Sequence, residues 1–225
     1  GKKIATLAGK HLKKSGLELG GNNACIVLKD ANLEDYLETM AWARFQNAGQ
    51  SCIAAKRFIV EETIYDEFIR KFQTIAESYN IGDPMDENTE MASMARVSLA
   101  EDVEQQVQKS LSKGAMVRYG NKRNKAQYHP TIIENVKPGM PLFDEEVFGP
   151  VAAIIKVKDK EEAYKMTSKT KFGLGSMIFT EDIEDAKHQI SEIEDGAFFI
   201  NELVKSDPRL PFGGTKASGY GRELS

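Results

Sequence analysis

Short apolar runs alternate with amphipathic stretches along most of the chain, and this alternation restricts the fold more than any other feature. In Thr63–Tyr79 the apolar side chains recur every three or four residues, the period of a helix, and Thr63 is a candidate N-cap. The predicted strands are Cys25–Leu28, Arg57–Val60, Val151–Val157, Gly175–Phe179 and Ala197–Ile200, and the predicted helices are Leu33–Ala48, Thr63–Tyr79, Val97–Lys113, Lys160–Thr167 and Ile183–Ile193. This order predicts an α/β domain with a mostly parallel sheet flanked by helices.

Composition excludes several classes of protein. The 225 residues are 41% hydrophobic and 28% charged with a net charge of −4, and no dense Lys/Arg cluster marks a nucleic-acid partner. The longest apolar runs, such as Val151–Ile155, are too short to cross a membrane. Two cysteines cannot form a disulfide framework, and no signal peptide is visible, so we expect a cytoplasmic protein. The three histidines are scattered and no cluster has metal-ligand spacing, so no metal site is predicted.

Cys52 is the first candidate for chemistry. The segment Asn47–Cys52 (NAGQSC) follows a predicted helix and precedes a predicted strand. A cysteine after a Gly-containing turn can lie in a cleft and act as a nucleophile if a neighbour lowers its pKa or removes its proton. Taken alone, the pattern favours a small buried side chain over a nucleophile. Cys25 lies inside an apolar run and is predicted to be a core residue.

Two further segments combine acids with glycine. In Leu17–Gly21 (LELGG), a glutamate flanked by leucines is either buried and paired or a base with a raised pKa. The glycines after it, Gly20 and Gly21, permit a close backbone approach or a positive φ. In Glu145–Pro150 (EEVFGP), acids beside an aromatic ring can hold a ribose and pack against a flat ring, or form an exposed acidic loop.

Taken together, four short motifs carry a resemblance to a known family. They are Leu17–Gly21 (LELGG), Gly49–Cys52 (GQSC), Glu145–Pro150 (EEVFGP) and Pro211–Gly214 (PFGG). In this order, and with an interval of 34 positions from Glu18 to Cys52, they resemble the aldehyde dehydrogenase superfamily over essentially the whole chain. The segment Asn201–Gly214 looks most like that of bacterial succinate-semialdehyde dehydrogenases. The resemblance therefore implies the C-terminal, catalytic part of such an enzyme.

The resemblance also implies a domain organisation. Members of the family are about twice as long as this chain, so it implies a fragment that lacks most of the cofactor domain. Residues 1–20 would be a remnant of the cofactor-binding domain, 21–214 the catalytic domain, and 215–225 a return segment towards the cofactor and oligomerisation part. The full-length parent is expected to be a homodimer or homotetramer, and the isolated fragment is expected to be inactive.

Roles for individual residues follow from the resemblance alone. It implies that Cys52 forms a thiohemiacetal and then a thioester with an aldehyde, and that Glu18 activates the water that hydrolyses it. Glu146 resembles the glutamate that binds the nicotinamide ribose, Phe148 resembles the aromatic residue beside the nicotinamide, and Gly20 is assigned to the cofactor side. The cofactor is expected to be NAD or NADP, because residues that distinguish the two lie upstream of this chain in the family.

The substrate is expected to be succinate semialdehyde or a similar short aldehyde. Phe212 resembles the aromatic residue that lines the substrate tunnel, and Ser206 is a candidate hydrogen-bond donor to a substrate carboxylate. Two positions depart from the family pattern. Asn22 replaces a lysine found in many members, and Gln46 stands where some succinate-semialdehyde enzymes have a carboxylate-binding arginine. These departures concern the substrate rather than the reaction.

Two other functions remain open at this point. In a CoA-acylating relative, CoA rather than water resolves the thioester, and such enzymes often lack the base glutamate; the presence of Glu18 favours hydrolysis. The second alternative is a non-catalytic fragment that acts as a structural or interaction module. A catalytic Cys52 should react with thiol reagents much faster than Cys25, which distinguishes these alternatives.

Overall fold

The computed structural model describes residues 1–224. The helices are α1 (Lys2–Lys10), α2 (Leu33–Phe45), α3 (Tyr65–Ser78), α4 (Val97–Leu111), α5 (Pro141–Asp144), α6 (Lys160–Ser168) and α7 (Ile183–Gln189). The strands are β1 (Leu17–Glu18), β2 (Asn23–Val27), β3 (Ala55–Glu61), β4 (Met116–Tyr119), β5 (Arg123–Asn124), β6 (Gln127–Tyr128), β7 (Thr131–Glu134), β8 (Val151–Val157), β9 (Phe172–Gly173), β10 (Ser176–Phe179), β11 (Phe198–Ile200), β12 (Thr215–Lys216) and β13 (Gly219–Tyr220). No described helix is long and apolar enough to cross a membrane.

A seven-stranded sheet in the order β11-β10-β2-β3-β8-β7-β4 forms the centre of the molecule. All neighbouring strands are parallel except β4, which runs antiparallel to β7 at one edge. Every residue of β2 and β3 is buried, as expected for central parallel strands covered on both faces. The predicted α/β class with a mostly parallel sheet is therefore confirmed.

Helices cover both faces of this sheet. Adjacent residues of a strand point to opposite faces. Phe58 of β3 contacts Phe68 and Phe72 of α3, with ring centroids 6.1 and 5.0 Å apart. Its neighbour Arg57 points the other way and donates to the carbonyls of Met166 and Thr167 in α6, at 2.8 and 3.0 Å. The residues that recur with the helical period in the sequence therefore form one face of α3, and this face packs on one side of the sheet.

Side chains define the beginnings of three helices. Asn32, Asp159 and Asp182 accept hydrogen bonds from backbone N–H groups three residues later and so cap α2, α6 and α7. The predicted cap at Thr63 is wrong, because α3 begins at Tyr65 after Ile64 and has no side-chain cap. Each of these caps lies in the turn between a strand and the helix that follows it.

Two predicted helices are shorter than expected. Leu33–Ala48 ends at Phe45 and continues as a 3₁₀ turn, Gln46–Gly49, in which Asn47 and Ala48 both have a φ of +52°. A left-handed backbone cannot continue a right-handed helix, so α2 stops there. The prediction Ile183–Ile193 likewise ends at Gln189, followed by a short 3₁₀ turn.

Candidate active site

Three of the four motif segments precede neighbouring parallel strands. Gly20 and Gly21 come before β2, Cys52 before β3, and Glu146 before β8. Because β2, β3 and β8 are adjacent in the sheet and parallel, their amino ends lie at one edge. The topology alone therefore brings these segments together.

Cys52 lies on a strained turn at this edge. Asn47, Ala48 and Gly49 follow one another with positive φ, and a Cβ at Gly49 would lie 2.3 Å from the carbonyl oxygen of Gly149. The turn leaves Cys52 partly exposed, whereas Cys25 is fully buried in β2 and burial raises the pKa of its thiol well above the ordinary value. Cys52 is consequently the accessible cysteine, and Cys25 is the core residue that the sequence predicts.

The glycine pair lets two groups approach the backbone closely. The N–H of Gly21 donates to Glu146 Oε1 at 3.0 Å, and a Cβ at Gly20 would lie 2.0 Å from Glu146 Oε2. A Cβ at Gly21 would lie 2.6 Å from the carbonyl oxygen of Cys52. Neither glycine has a positive φ. The sequence offered two reasons for these glycines, a close backbone approach or a positive φ, and the structure supports the close approach. It also places Gly20, Glu146 and the Cys52 turn side by side.

A buried lysine that the sequence analysis did not single out joins these groups. Lys56 Nζ donates to the carbonyls of Ser51 and Cys52 at 2.8 and 2.9 Å and lies 3.4 Å from Glu146 Oε1, with a side chain that is 0% exposed. Burial lowers the pKa of Lys56 to about 7; Arg44 adds to this effect and Glu146 opposes it. The sequence signal that points to it is the pair Lys56–Arg57 directly before the apolar run Phe58–Val60, which continues the same strand.

Arg44 is the second buried cation of the site. Its Nη2 donates to the carbonyl of Gly49 at 2.7 Å and so holds the turn that precedes Cys52. Burial lowers the pKa of Arg44 to about 9, and the negative charge of Glu146 opposes this shift. Its Nε and Nη1 have no hydrogen-bond partner among the described residues. Arg44 lies in α2, so the same helix that ends at Phe45 also fixes the turn after it.

Glu18 sits on a separate two-stranded ribbon. β1 pairs antiparallel with β13, which places Glu18 opposite Gly219. Its Oε2 is buried without a hydrogen-bond partner among residues 1–224. Burial raises the pKa of Glu18, the N–H of Gly214 lowers it, and Glu223 raises it further. Of the two interpretations offered by the sequence, a carboxyl group with a raised pKa fits better than a paired carboxylate.

The aromatic candidates occupy different surroundings. Phe148 is 37% exposed and lines, with Glu146 and side chains of α4, a cavity of about 370 Å³. Phe212 is half-buried, and its backbone exchanges two hydrogen bonds with Glu223, at 2.9 and 2.8 Å. Glu223 in turn acts on the pKa of Glu18, so Phe212 belongs to the Glu18 side of the site.

Ser206 stands apart from the other candidates. It is exposed, and no hydrogen bond within the described part of the chain joins it to Cys52 or Glu18. Its neighbours Lys205 and Asp207 are engaged in local ion pairs with Glu202 and Arg209. The structure therefore does not bring Ser206 into contact with the groups around Cys52.

The comparisons with known proteins identify the family. The model of the aldehyde dehydrogenase family matches residues 1–225, and the chain belongs to this family. It is 44% identical to an NAD(P)+ succinate semialdehyde dehydrogenase of Escherichia coli (strain K12) and 43% identical to an NADP(+) succinate-semialdehyde dehydrogenase of Mycobacterium leprae (strain TN). Both matches cover 100% of this chain but only 49% and 50% of those proteins, so the chain spans about half the length of the curated relatives it matches.

Solved structures give the same result. The succinic semialdehyde dehydrogenase of Streptococcus pyogenes in complex with NADP+ matches with a TM-score of 0.95 and 41% identity, over 99% of this chain and 50% of that one. The lactaldehyde dehydrogenase of Escherichia coli matches with a TM-score of 0.93 and 32% identity, over 98% of this chain and 47% of that one. The fold described above is thus the fold of one half of an aldehyde dehydrogenase.

Proposed function

We propose that this chain is the catalytic part of an enzyme that oxidises an aldehyde to a carboxylic acid with NAD or NADP, using Cys52 as the covalent nucleophile. The observation that carries the proposal is the setting of Cys52. It is the accessible cysteine, it lies on a turn held by two buried cations, and it adjoins Gly21 and, through Lys56, Glu146 at one sheet edge. Reactive cysteines are found in partly exposed, electropositive surroundings of this kind.

The reaction divides into two halves at Cys52. The thiolate attacks the aldehyde carbon, a C–S bond forms, and the carbonyl oxygen becomes an oxyanion within reach of the Cys52 backbone N–H. A nicotinamide cofactor, held by Glu146 and Phe148, would supply the acceptor for the hydride of this carbon, and Cys52 would then carry a thioester. Glu18 then takes a proton from water, the water oxygen attacks the thioester, and the C–S bond breaks to release the acid and the thiolate.

The residues around Glu146 fit a nicotinamide nucleotide. Glu146 Oε1 is engaged by Gly21 and Lys56, whereas Oε2 has no hydrogen-bond partner among the described residues. A carboxylate oxygen free to accept hydrogen bonds suits the hydroxyl groups of a ribose. Phe148 presents an exposed ring on the same cavity, where a flat heterocycle can pack. In this arrangement Glu146 and Phe148 orient the cofactor, and Gly20 leaves room for the Glu146 carboxylate.

We propose succinate semialdehyde, or a similar short aldehyde with a carboxylate, as the substrate. This proposal is supported by two relatives, 44% and 43% identical to this chain, that are succinate-semialdehyde dehydrogenases. Phe212 would line the approach to Cys52 from the Glu18 side. Ser206 is exposed and shares no hydrogen bond with the described groups around Cys52, and Gln46 carries no charge. The cation that recognises the carboxylate would then come from the other half of the enzyme.

The proposal extends to the organisation of the protein. Residues 1–20 would belong to the cofactor domain, 21–214 to the catalytic domain and 215–225 to a return segment. Since the relatives are twice this length, the 225-residue chain alone would bind cofactor weakly and show no turnover. Assays of this chain with either cofactor should give no reduction above background, and turnover at the rate of a complete enzyme would contradict this.

Replacement of each cysteine tests the role of Cys52. In a protein that carries this chain together with the rest of the family domain, Cys52→Ser should abolish aldehyde oxidation, because a hydroxyl is a far poorer nucleophile than a thiolate near neutral pH. Cys25→Ser is the matched control and should keep most of the activity, although it introduces a hydroxyl into the core. Robust turnover by the Cys52→Ser protein would rule out the proposed mechanism.

A further inference from the structure

The ammonium of Lys56 has a complete set of three partners. A protonated lysine has three N–H donors and no acceptor. Lys56 directs them to the carbonyls of Ser51 and Cys52 and to Glu146 Oε1, at 2.8, 2.9 and 3.4 Å. A charged group without solvent contact is stable only when it is paired and hydrogen-bonded in this way. Two of the three partners are consecutive carbonyls of the turn that carries Cys52.

These two carbonyls fix the backbone on both sides of Cys52. The peptide unit is planar and trans, so its N–H points opposite to its C=O. The Ser51 carbonyl belongs to the same unit as the Cys52 N–H, and holding the first sets the direction of the second. The Cys52 carbonyl belongs to the following unit and also accepts from Asn23 Nδ2 at 3.3 Å. With both planes held, the direction of the Cys52 Cα–Cβ bond is determined.

The same ammonium places a positive charge against the turn. The charged and titratable groups that act on Lys56 are Arg44, Glu146 and Cys52. Two buried cations face one carboxylate, so a Cys52 thiolate brings the cluster to a net charge of zero. A negative charge at Cys52 raises the pKa of Lys56. The cluster therefore places positive charge beside Cys52.

We propose that Lys56 is a positioning residue that sets the orientation of the Cys52 N–H and side chain, supports the Cys52 thiolate, and links both to the carboxylate of Glu146. This inference rests on the proposed function, in which Cys52 is the nucleophile and Glu146 holds the cofactor ribose. A movement of Glu146 towards a ligand removes one of the three partners of a buried ammonium. The Lys56 ammonium then keeps only the Ser51 and Cys52 carbonyls as partners. Binding of a ligand at Glu146 is thereby coupled to the geometry of the turn that carries Cys52.

Alkylation of Cys52 by a neutral and an anionic reagent of similar size tests the inference on this 225-residue chain. Rate constants for iodoacetamide and iodoacetate are measured from pH 6 to 9, with the labelled cysteine identified by peptide mass spectrometry. The rate with the neutral reagent measures the accessibility and orientation of the Cys52 thiol. The ratio of the iodoacetate rate to the iodoacetamide rate measures the positive charge beside that thiol. We compare wild type, Lys56→Met, Lys56→Arg and, as a control, Lys71→Met, which removes a partly exposed lysine paired with Glu34 and Glu67.

In the wild type the iodoacetate to iodoacetamide ratio should fall as pH rises through about 7, because Lys56 loses its proton there. In Lys56→Met the ratio at pH 6 should be lower by roughly fivefold, the effect of a unit charge about 4 Å away in water, and should not change with pH. Lys56→Arg should keep a high ratio throughout, and Lys71→Met should behave as wild type.

Equal ratios in wild type and Lys56→Met would overturn the inference. If Lys56→Met does not unfold cooperatively, the comparison of wild type with Lys56→Arg decides, and identical pH dependence in those two proteins would overturn it as well. A Cys52 that reacts no faster than Cys25 at any pH would instead contradict the proposed function. The two failures are therefore distinguishable.

Discussion

Ser218 Oγ donates a 2.7 Å hydrogen bond to the carbonyl of Gly20, across 198 positions of sequence. The same oxygen accepts from the N–H of Gly173 at 3.0 Å, and Ser218 is 0% exposed. One hydroxyl group thus joins the segment that carries Glu18 and Gly20 to the start of the β9–β10 region and to the C-terminal ribbon. The position of Glu18 depends on this junction as well as on the pairing of β1 with β13.

Ser218→Ala should destabilise the protein by about 1–3 kcal/mol, because it leaves the buried Gly173 N–H and the Gly20 carbonyl without this partner. The measurement is the free energy of unfolding in urea. Ser112→Ala, which removes an exposed hydroxyl that bonds only to Lys109 of its own helix end, is the matched control and should change stability by less than about 0.5 kcal/mol. Equal effects of the two substitutions would show that the junction contributes nothing.

Gly20→Ala tests the contact between the glycine pair and Glu146. The added methyl would lie 2.0 Å from Glu146 Oε2, so the carboxylate must move away from its place beside Gly21. In the complete enzyme we expect the KM for NAD(P) to rise at least about tenfold, which corresponds to about 1.4 kcal/mol of binding free energy. The free energy of unfolding should change by less than this amount. Gly9→Ala, where a Cβ meets nothing within 4 Å in helix α1, should leave the KM unchanged.

The main sheet could be predicted from the sequence because its central strands are continuous apolar runs. All five predicted strands lie in it, within a few residues of the observed bounds. β4 and β7 were not predicted, since β4 is largely exposed and β7 has only four residues. The ribbon of β1 and β13 has two residues per strand and joins parts of the chain about 200 positions apart. The periodicity of a short stretch of sequence cannot indicate a pairing between residues so far apart in the chain.

The site was predictable only where the residues form motifs. Gly20, Cys52 and Glu146 were selected by motif and do lie together. Lys56 and Arg44 were missed because a charged residue in an apolar segment is usually solvated, and its burial depends on partners that only the fold supplies. Whether the selected residues carry the roles that the resemblance implies is still a prediction, which the substitutions proposed here test.

Discrimination between aldehydes tests the proposed substrate. The complete enzyme should have a higher kcat/KM for succinate semialdehyde than for an uncharged aldehyde of the same length. A site built to hydrogen-bond a substrate group rejects an analogue without it, typically by about 10⁴-fold, since its own buried polar groups are left unpaired. Steady-state kinetics with succinate semialdehyde and butanal measure the ratio. Comparable values for the two aldehydes would exclude recognition of a carboxylate.

Glu18→Gln should separate the two halves of the reaction. If Glu18 activates the hydrolytic water, the glutamine protein still forms the thioester but hydrolyses it slowly. The expected trace is a burst of reduced cofactor equal to the enzyme concentration, followed by turnover slower by about 10²-fold or more. Stopped-flow absorbance of the reduced nicotinamide measures both phases. An unchanged steady-state rate would remove Glu18 from the role of base.

The pH dependence of hydrolysis provides a second test of the same residue. Burial raises the pKa of Glu18, so its carboxyl group takes up a proton at a higher pH than an ordinary glutamate does. Only the carboxylate can accept a proton from water, and the rate of thioester hydrolysis should therefore fall as pH decreases through that raised pKa. The Glu18→Gln protein should lack this acidic limb while it keeps any pH dependence that belongs to Cys52. An acidic limb of the same position in both proteins would show that another group is the base.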